Sequence, residues 1–282
     1  MKLIIHGGFF SESDQSDSTK SAKQNALTRI IQSSFEYLKS HSALETSVYA
    51  VSLLEDDELF NAGTGSQIQS DGKIRMSAAL MDGKEQILTG VINLQDVKNP
   101  IQVAKKIREK EIEDRVLSDH GAEIFARENG FEVFSTRTVE REKEYQNKLA
   151  STGKGTVGCV ALDQEGLLAV ATSTGGKGFE IPGRVSDSAT VAGNYANSHC
   201  AVSCTGVGED IVSNSTAVKI VTRVTDGMPI EKAFDRTFQE LKQINGFAGA
   251  IGIDKQGNIY HQDSHPKMVF ASYDGKEIEL FQ

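Results

Sequence analysis

The sequence has no tryptophan, only four prolines and only three cysteines, and nowhere does it hold a long uninterrupted apolar run. Three thiols (Cys159, Cys200, Cys204) leave an odd one over, so no disulfide framework is expected and a reducing compartment fits. No segment is apolar enough to span a bilayer. The opening Met1-Lys2-Leu3-Ile4-Ile5-His6 runs into glycines too soon to be a signal-peptide core. A cytoplasmic protein without a membrane partner is therefore expected. No Lys/Arg cluster stands apart from acidic residues, and the net charge is −9, which disfavours nucleic acid. The six histidines offer no zinc spacing: His261 and His265 are four apart, but Pro266 argues against a helix there. Gly153-Lys154 and Gly176-Lys177 lack the glycine spacing of a phosphate loop, and Gly206-Val207-Gly208 lacks the third glycine of a dinucleotide fingerprint.

The 282 residues suffice for one large domain or two tightly joined halves. Residues 3–6 read as a short buried strand broken by Gly7-Gly8. Apolar residues at helical spacing predict helices over residues 19–40 and, behind the capping box Ser42/Glu45, from residue 44 to about 54. Ser70-Asp71-Gly72-Lys73 is expected to join two strands as a hairpin, with a further strand at 87–91. Helices are expected from Asn99-Pro100 to about residue 111, over 118–129, over 209–224 and over 229–243. Residues 136–155, charged and weakly periodic, read as a mobile linker. Strands follow at 157–163, 167–174 and 199–204, and a last hairpin spans 248–261. Helices and antiparallel hairpins in blocks predict an α+β protein with its sheet covered by helices.

One stretch has chemical promise. In Gly155-Thr156-Val157-Gly158 a threonine sits between glycines at the mouth of a strand. A threonine hydroxyl is a poor nucleophile unless a base adjoins it, and an N-terminal threonine finds that base in its own α-amine. Thr156 is internal, so this works only if the Gly155-Thr156 bond is cut. Its own hydroxyl can do that by attacking the Gly155 carbonyl in an N-to-O acyl shift. From the tetrapeptide alone, an ordinary loop entering a strand is the reading to take. Downstream, Arg184 and Asp187 stand three apart. Together they suit the carboxylate and ammonium of an α-amino acid, or else they pair with each other.

Four ordered segments carry a resemblance: Gly155-Thr156-Val157-Gly158-Cys159-Val160-Ala161-Leu162-Asp163, Ala171-Thr172-Ser173-Thr174-Gly175-Gly176, Pro182-Gly183-Arg184-Val185-Ser186-Asp187-Ser188 and Ser203-Cys204-Thr205-Gly206-Val207-Gly208-Glu209. With His6-Gly7-Gly8, Phe60-Asn61-Ala62-Gly63, Met81-Asp82-Gly83, Asn99-Pro100 and Gly121-Ala122-Glu123, the chain resembles plant-type asparaginases with isoaspartyl peptidase activity, which are N-terminal nucleophile hydrolases. The resemblance implies a four-layer αββα sandwich and self-cleavage into an α chain (1–155) and a β chain (156–282), together one folded domain that pairs into a homodimer of processed units. Thr156 would be the nucleophile and Thr174 its orienting hydroxyl, with Thr205 and Gly206 forming the oxyanion hole. Arg184, Asp187 and Gly208 would hold the substrate head group, and Asn61 would steady the nucleophile. The backbone carbonyls of Leu54, Glu55, Asp57, Phe60, Ala62 and Thr64 would ring a structural sodium ion; no organic cofactor is implied. The implied substrates are L-asparagine and β-aspartyl dipeptides. An aspartylglucosamine hydrolase, a threonine endopeptidase of the same fold and an uncleaved amino-acid-binding protein are the alternatives. Val207 replaces a usual threonine, Glu180 a common lysine and Phe9-Phe10 small residues. The 264–268 segment also departs from the usual pattern, which leaves the leaving-group preference open.

Overall fold

The computed structural model describes residues 1–10, 16–147, 155–265 and 267–282. The last part of the expected linker, residues 148–154, and Pro266 of the 264–268 segment lie outside them, as do residues 11–15. Strand β1 (Lys2–Phe9) continues beyond Gly7 and Gly8, which the sequence alone marks as a break, but its register with the C-terminal strand it pairs with shifts between His6 and Phe9, where Gly8 takes φ 87°. Helix α1 (Asp17–Leu38) buries Leu27, Ile30, Ile31 and Phe35 along one stripe. Helix α2 (Ala43–Glu55) begins with the expected capping box: the Ser42 hydroxyl accepts from Glu45 N, and the Glu45 carboxylate accepts from Ser42 N. Strands β2 (Met76–Asp82) and β3 (Ile87–Leu94) make the hairpin of this region. Ser70-Lys73 is a turn closed by Gln69 N donating to Lys73 O but without flanking strands, because the incoming arm is tied sideways: Ser70 N donates to Glu180 O and Phe179 N to Ile68 O.

Helix α3 (Pro100–Glu109), the short β4 (Val116–Ser118) and α4 (Asp119–Glu128) follow. Within the expected linker, α5 (Val139–Gln146) forms an exposed helix capped by Thr138. Tyr145 pins it by stacking on Phe179 at 5.2 Å, and Arg141 Nε donates to Gly65 O at 2.7 Å. The second half contributes β5 (Thr156–Leu162), β6 (Leu168–Thr174), β7 (Asn194–Ala196) and β8 (Cys200–Gly206). The helix expected over 209–224 is two, α6 (Gly208–Asn214) and α7 (Thr216–Thr225), broken at Ser215, which is left-handed (φ 54°). Helix α8 (Ile230–Gln243) leads to the hairpin β9 (Ala248–Asp254) and β10 (Ile259–Asp263), and then to two strands that local patterning does not reveal, β11 (Met268–Tyr273) and β12 (Ile278–Leu280).

Eight strands form one sheet in the order β12-β11-β1-β5-β6-β2-β3-β4, antiparallel throughout except β3 with β4. Four form the other, β10-β9-β8-β7. Helices α1 to α3 cover the outer face of the large sheet, α7 and α8 that of the small one, and β5 and β6 lie against β8 across the middle. The layers are helix, sheet, sheet, helix: the four-layer αββα sandwich. Every residue of β5 and β6 is buried, as two covered faces require. In the large sheet β1 lies between β11 and β5, and β2 lies beside β6, so residues 1–155 and 156–282 interleave.

Candidate active site

Strand alternation decides what the two sheets show each other. Residues 156, 158, 160 and 162 of β5 share one face, and Gly158 fixes which: a Cβ there would lie 2.1 Å from Ser203 Oγ and 2.4 Å from His6 Nε2. Thr156 therefore opens β5 on the inner side, paired with Thr174 at the end of β6. The two hydroxyls are 3.4 Å apart, Thr156 Oγ donating, and Thr174 Oγ also accepts from Gly176 N at 3.2 Å. Just before the nucleophile candidate, Gly155 abuts Asn61: a Cβ at 155 would lie 2.8 Å from Asn61 Cβ. The Asn61 amide is used elsewhere, donating to Gly176 O at 2.5 Å and accepting from Gln67 N at 3.0 Å. Asn61 thus braces Gly155 just before Thr156 and the Gly176 carbonyl just beyond β6, and makes no side-chain bond to the threonine hydroxyl.

Thr205 and Gly206 close β8. Thr205 is fully buried and its Oγ has no hydrogen-bond partner among the described residues, an expensive condition for a hydroxyl. The expected head-group residues converge on Gly208, the first residue of α6: a Cβ there would stand 2.9 Å from both Arg184 Nη2 and Asp187 Oδ1. Any side chain at 208 would fill that corner. Arg184 does not pair with Asp187 through a short contact. Its Nε and Nη2 donate to Glu209 at 2.8 and 2.9 Å, and the ion pair holds Glu209 well below the usual carboxylate range. Burial pushes Asp187 up to about 7, and its Oδ2 lacks a partner among the described residues. Glu180, read as a departure, is buried, accepting from Lys177 N and Gln69 Nε2.

In the 54–64 loop the chain turns back on α2, with Thr64 N donating to Glu55 O at 2.7 Å and Phe60 N to Asp57 O at 3.1 Å. The carbonyls of Phe60 and Glu58 crowd Gly65, where a Cβ would lie 2.7 and 2.8 Å from them. Among the described residues no group of three His, Cys, Asp or Glu side chains is placed to hold a metal, so an ion in this loop would rest on carbonyl oxygens, the donors a hard cation takes. The Glu55 side chain, fully buried, is pushed up to about 8 by desolvation and accepts from Ile101 N.

Sequence reasoning weighed His6 for zinc and met it, with Thr172 and Ser203, in the segments that carry the resemblance, but gave none of the three a role in the site. The signal was a histidine inside an apolar strand, where a polar ring needs partners. His6 Nδ1 donates to Thr156 O at 2.9 Å, and Ser203 Oγ lies 2.8 Å from both His6 Nε2 and Thr172 Oγ.

A model of the asparaginase family matches residues 1–153 and 135–281. An isoaspartyl peptidase/L-asparaginase of Nostoc is 43% identical over 298 residues, spanning 98% of this chain and 93% of that protein. The protein of that name from Synechocystis is 42% identical over 296 residues, spanning 98% and 89%. The plant-type L-asparaginase of Pyrococcus furiosus is 34% identical over 301 residues, spanning 95% of each chain. No helix among the described residues is long and apolar enough to cross a membrane. With likeness running from end to end and the sandwich layering in place, this chain belongs to the asparaginase family of N-terminal nucleophile hydrolases.

Proposed function

We propose that the protein is a self-processing amidohydrolase that cleaves β-aspartyl dipeptides and the side-chain amide of L-asparagine through a threonyl ester, releasing L-aspartate. One observation carries the reading: Thr156 stands at the mouth of β5, opposite the Thr174 hydroxyl, with the slender Gly155 packed on Asn61 just before it. The same names are borne by the Nostoc and Synechocystis relatives.

In the precursor the Thr156 hydroxyl attacks the Gly155 carbonyl, the peptide becomes an ester, and water hydrolyses it to leave Thr156 with a free amine. An α-amine titrates near pH ~8, so it accepts the hydroxyl proton without a histidine base. The hydroxyl then attacks the amide carbon of the substrate. Charge on the carbonyl oxygen is met by Thr205 Oγ–H and the Gly206 N–H, donors whose loss costs roughly 3 kcal/mol each in other hydrolases. Ammonia or an amine leaves with the proton from the Thr156 ammonium, and water resolves the ester. Arg184 holds the α-carboxylate through the guanidinium edge that Glu209 leaves open. Asp187, high when buried alone, ionises against the substrate ammonium. The 54–64 loop holds a sodium ion on carbonyls, which stiffens the ground under Asn61 and takes no part in bond-making. The working unit is a homodimer of processed halves in the cytoplasm.

Denaturing mass spectrometry on purified protein, with a β-aspartyl dipeptide assay beside it, tests the reading. Fragments divided between Gly155 and Thr156, and loss of both cleavage and hydrolysis in Thr156→Ala, are expected. A chain that stays whole and inert under all conditions would hand the lead to an amino-acid-binding role.

A further inference from the structure

Behind the nucleophile lies a chain of hydrogen bonds whose direction can be worked out atom by atom. A carbonyl oxygen only accepts, so the His6 proton sits on Nδ1, facing Thr156 O at 2.9 Å. That leaves Nε2 as an acceptor, so Ser203 must donate its one hydroxyl proton to it across 2.8 Å. With that proton committed, Ser203 accepts from Thr172 across 2.8 Å. The order Thr172 to Ser203 to His6 to Thr156 has a single sense. His6, Thr172 and Ser203 are all fully buried. Burial drives the His6 pKa down to about 3, so the ring is neutral at working pH and acts as a hydrogen-bond donor and not as a charge. Gly158 leaves the space through which the ring and Ser203 meet.

We infer that His6, locked as its Nδ1–H tautomer by Ser203 and Thr172, is the positioning residue for the Thr156 nucleophile. The inference rests on the function proposed above and deepens it. Once Thr156 is a chain terminus, nothing covalent on its amino side fixes it. Beyond its place in the β5–β6 pairing and the packing of Asn61, its attitude is then set by two side-chain bonds, the hydroxyl to Thr174 and the carbonyl to His6. Freeing the carbonyl lets the residue swing, which lowers the fraction of encounters with hydroxyl and amine both aligned, and leaves the head-group pocket at Arg184 and Asp187 untouched. The signature is a fall in kcat with KM unchanged.

Three variants on the full chain test this. His6→Asn keeps an N–H at the Nδ1 position and retains about a third or more of kcat. His6→Gln moves its N–H to the Nε2 position, and kcat falls roughly 10- to 100-fold with KM within about twofold. Ser203→Ala keeps the His6 to Thr156 bond but unlocks the ring, and kcat falls about three- to tenfold. Near-ultraviolet circular dichroism checks that each variant is folded. Independently of activity, nitrogen NMR of histidine-labelled protein at pH ~7, with the His6 signal assigned by its loss in His6→Gln, should show the His6 ring neutral and protonated on Nδ1; His41, whose Nδ1 faces Tyr37 O, gives a separate signal. A His6→Gln variant as active as His6→Asn, a loss carried by KM, or a His6 ring protonated on Nε2 would overturn the inference. A wild type that never hydrolyses β-aspartyl dipeptides would sink the proposed function instead, and the NMR spectrum would still decide the tautomer.

Discussion

Between the two sheets, the same strand faces change character from one end to the other. At one end the inward positions are Ile4, Val160, Val170, Ala201, Ile251 and Ile253, all part of one apolar core. Two residues further along β1, β5, β6 and β8, in phase with those, stand His6, Gly158, Thr172 and Ser203, with Thr156, Thr174 and Thr205 beyond. The backbone hydrogen bonding is continuous across the change. The apolar end gains from removing surface from water. The polar end forgoes that gain and is held together by directed hydrogen bonds, from Thr172 through Ser203 and His6 to Thr156 O and from the Thr156 hydroxyl to Thr174. Thr205 Oγ is left over there, as a donor waiting for a substrate oxygen would be. One end supplies stability, the other carries the proposed chemistry, and the boundary between them is a single pleat wide.

Substitutions on either side of that pleat should separate the two roles. Gly158→Ala forces a Cβ to within 2.1 Å of Ser203 Oγ, so it should split His6 from Ser203 and cut activity at least ~100-fold, read as dipeptide turnover and as the extent of chain cleavage. Thr205→Val keeps the shape and removes the hydroxyl. Here kcat should fall roughly 100- to 1,000-fold with little change in melting temperature. At the apolar end the pattern reverses: Leu168→Ala should cost about 2–5 kcal/mol in a denaturant titration while leaving kcat within about twofold. A Leu168 variant that lost activity without losing stability would break the division.

The smallest effect concerns pH. Because burial pushes Asp187 up to about 7, KM for L-asparagine should rise as pH falls below ~7, where the carboxyl takes a proton and releases the ammonium. The stability term has a definite sign. The unfolded chain ionises this group near 3.9, so above that pH the native state holds more protons than the unfolded one, and Asp187 erodes stability up to about 7. Asp187→Asn should flatten that part of the melting-temperature profile and raise KM at every pH.

What could be read from the residues was whatever is decided by near neighbours. The Ser42/Glu45 box, the helix start at Asn99-Pro100 and the strands on either side of residues 164–166 depend on contacts a few positions apart, and the structure keeps them. Strand β11 depends on β1, more than 260 residues away, and a six-residue run carries no local sign of that partner. The supposed hairpin at Ser70-Lys73 closes only as a turn, with Gln69 N bonded to Lys73 O, and goes no further for a related reason: its incoming arm bonds to Phe179 and Glu180. Helical spacing ran unbroken over 209–224, yet Ser215 resets the phase. In the site, Thr156, Arg184 and Asp187 could be named because hydroxyl and charge announce their chemistry, whereas Gly208 was implied only by the family resemblance. Glu209 as the clamp on Arg184 and Ser203 as the lock on His6 could not, because an ion pair 25 residues apart and a bond 197 residues apart leave no spacing to read.

The interleaving of the large sheet has a consequence for what a cut at Gly155–Thr156 would do. Strand β1 is flanked on both sides by strands from beyond that bond, so severing it frees no piece: the halves stay woven through the hydrogen bonds of β1 with β5 and β11. The covalent history would become visible only on unfolding. An intact chain refolds as a first-order event, whereas two fragments must first find each other, each meanwhile exposing unpaired strand edges. Recovery after melting would then depend on protein concentration, and the cut molecule's endurance would be set by how slowly it opens.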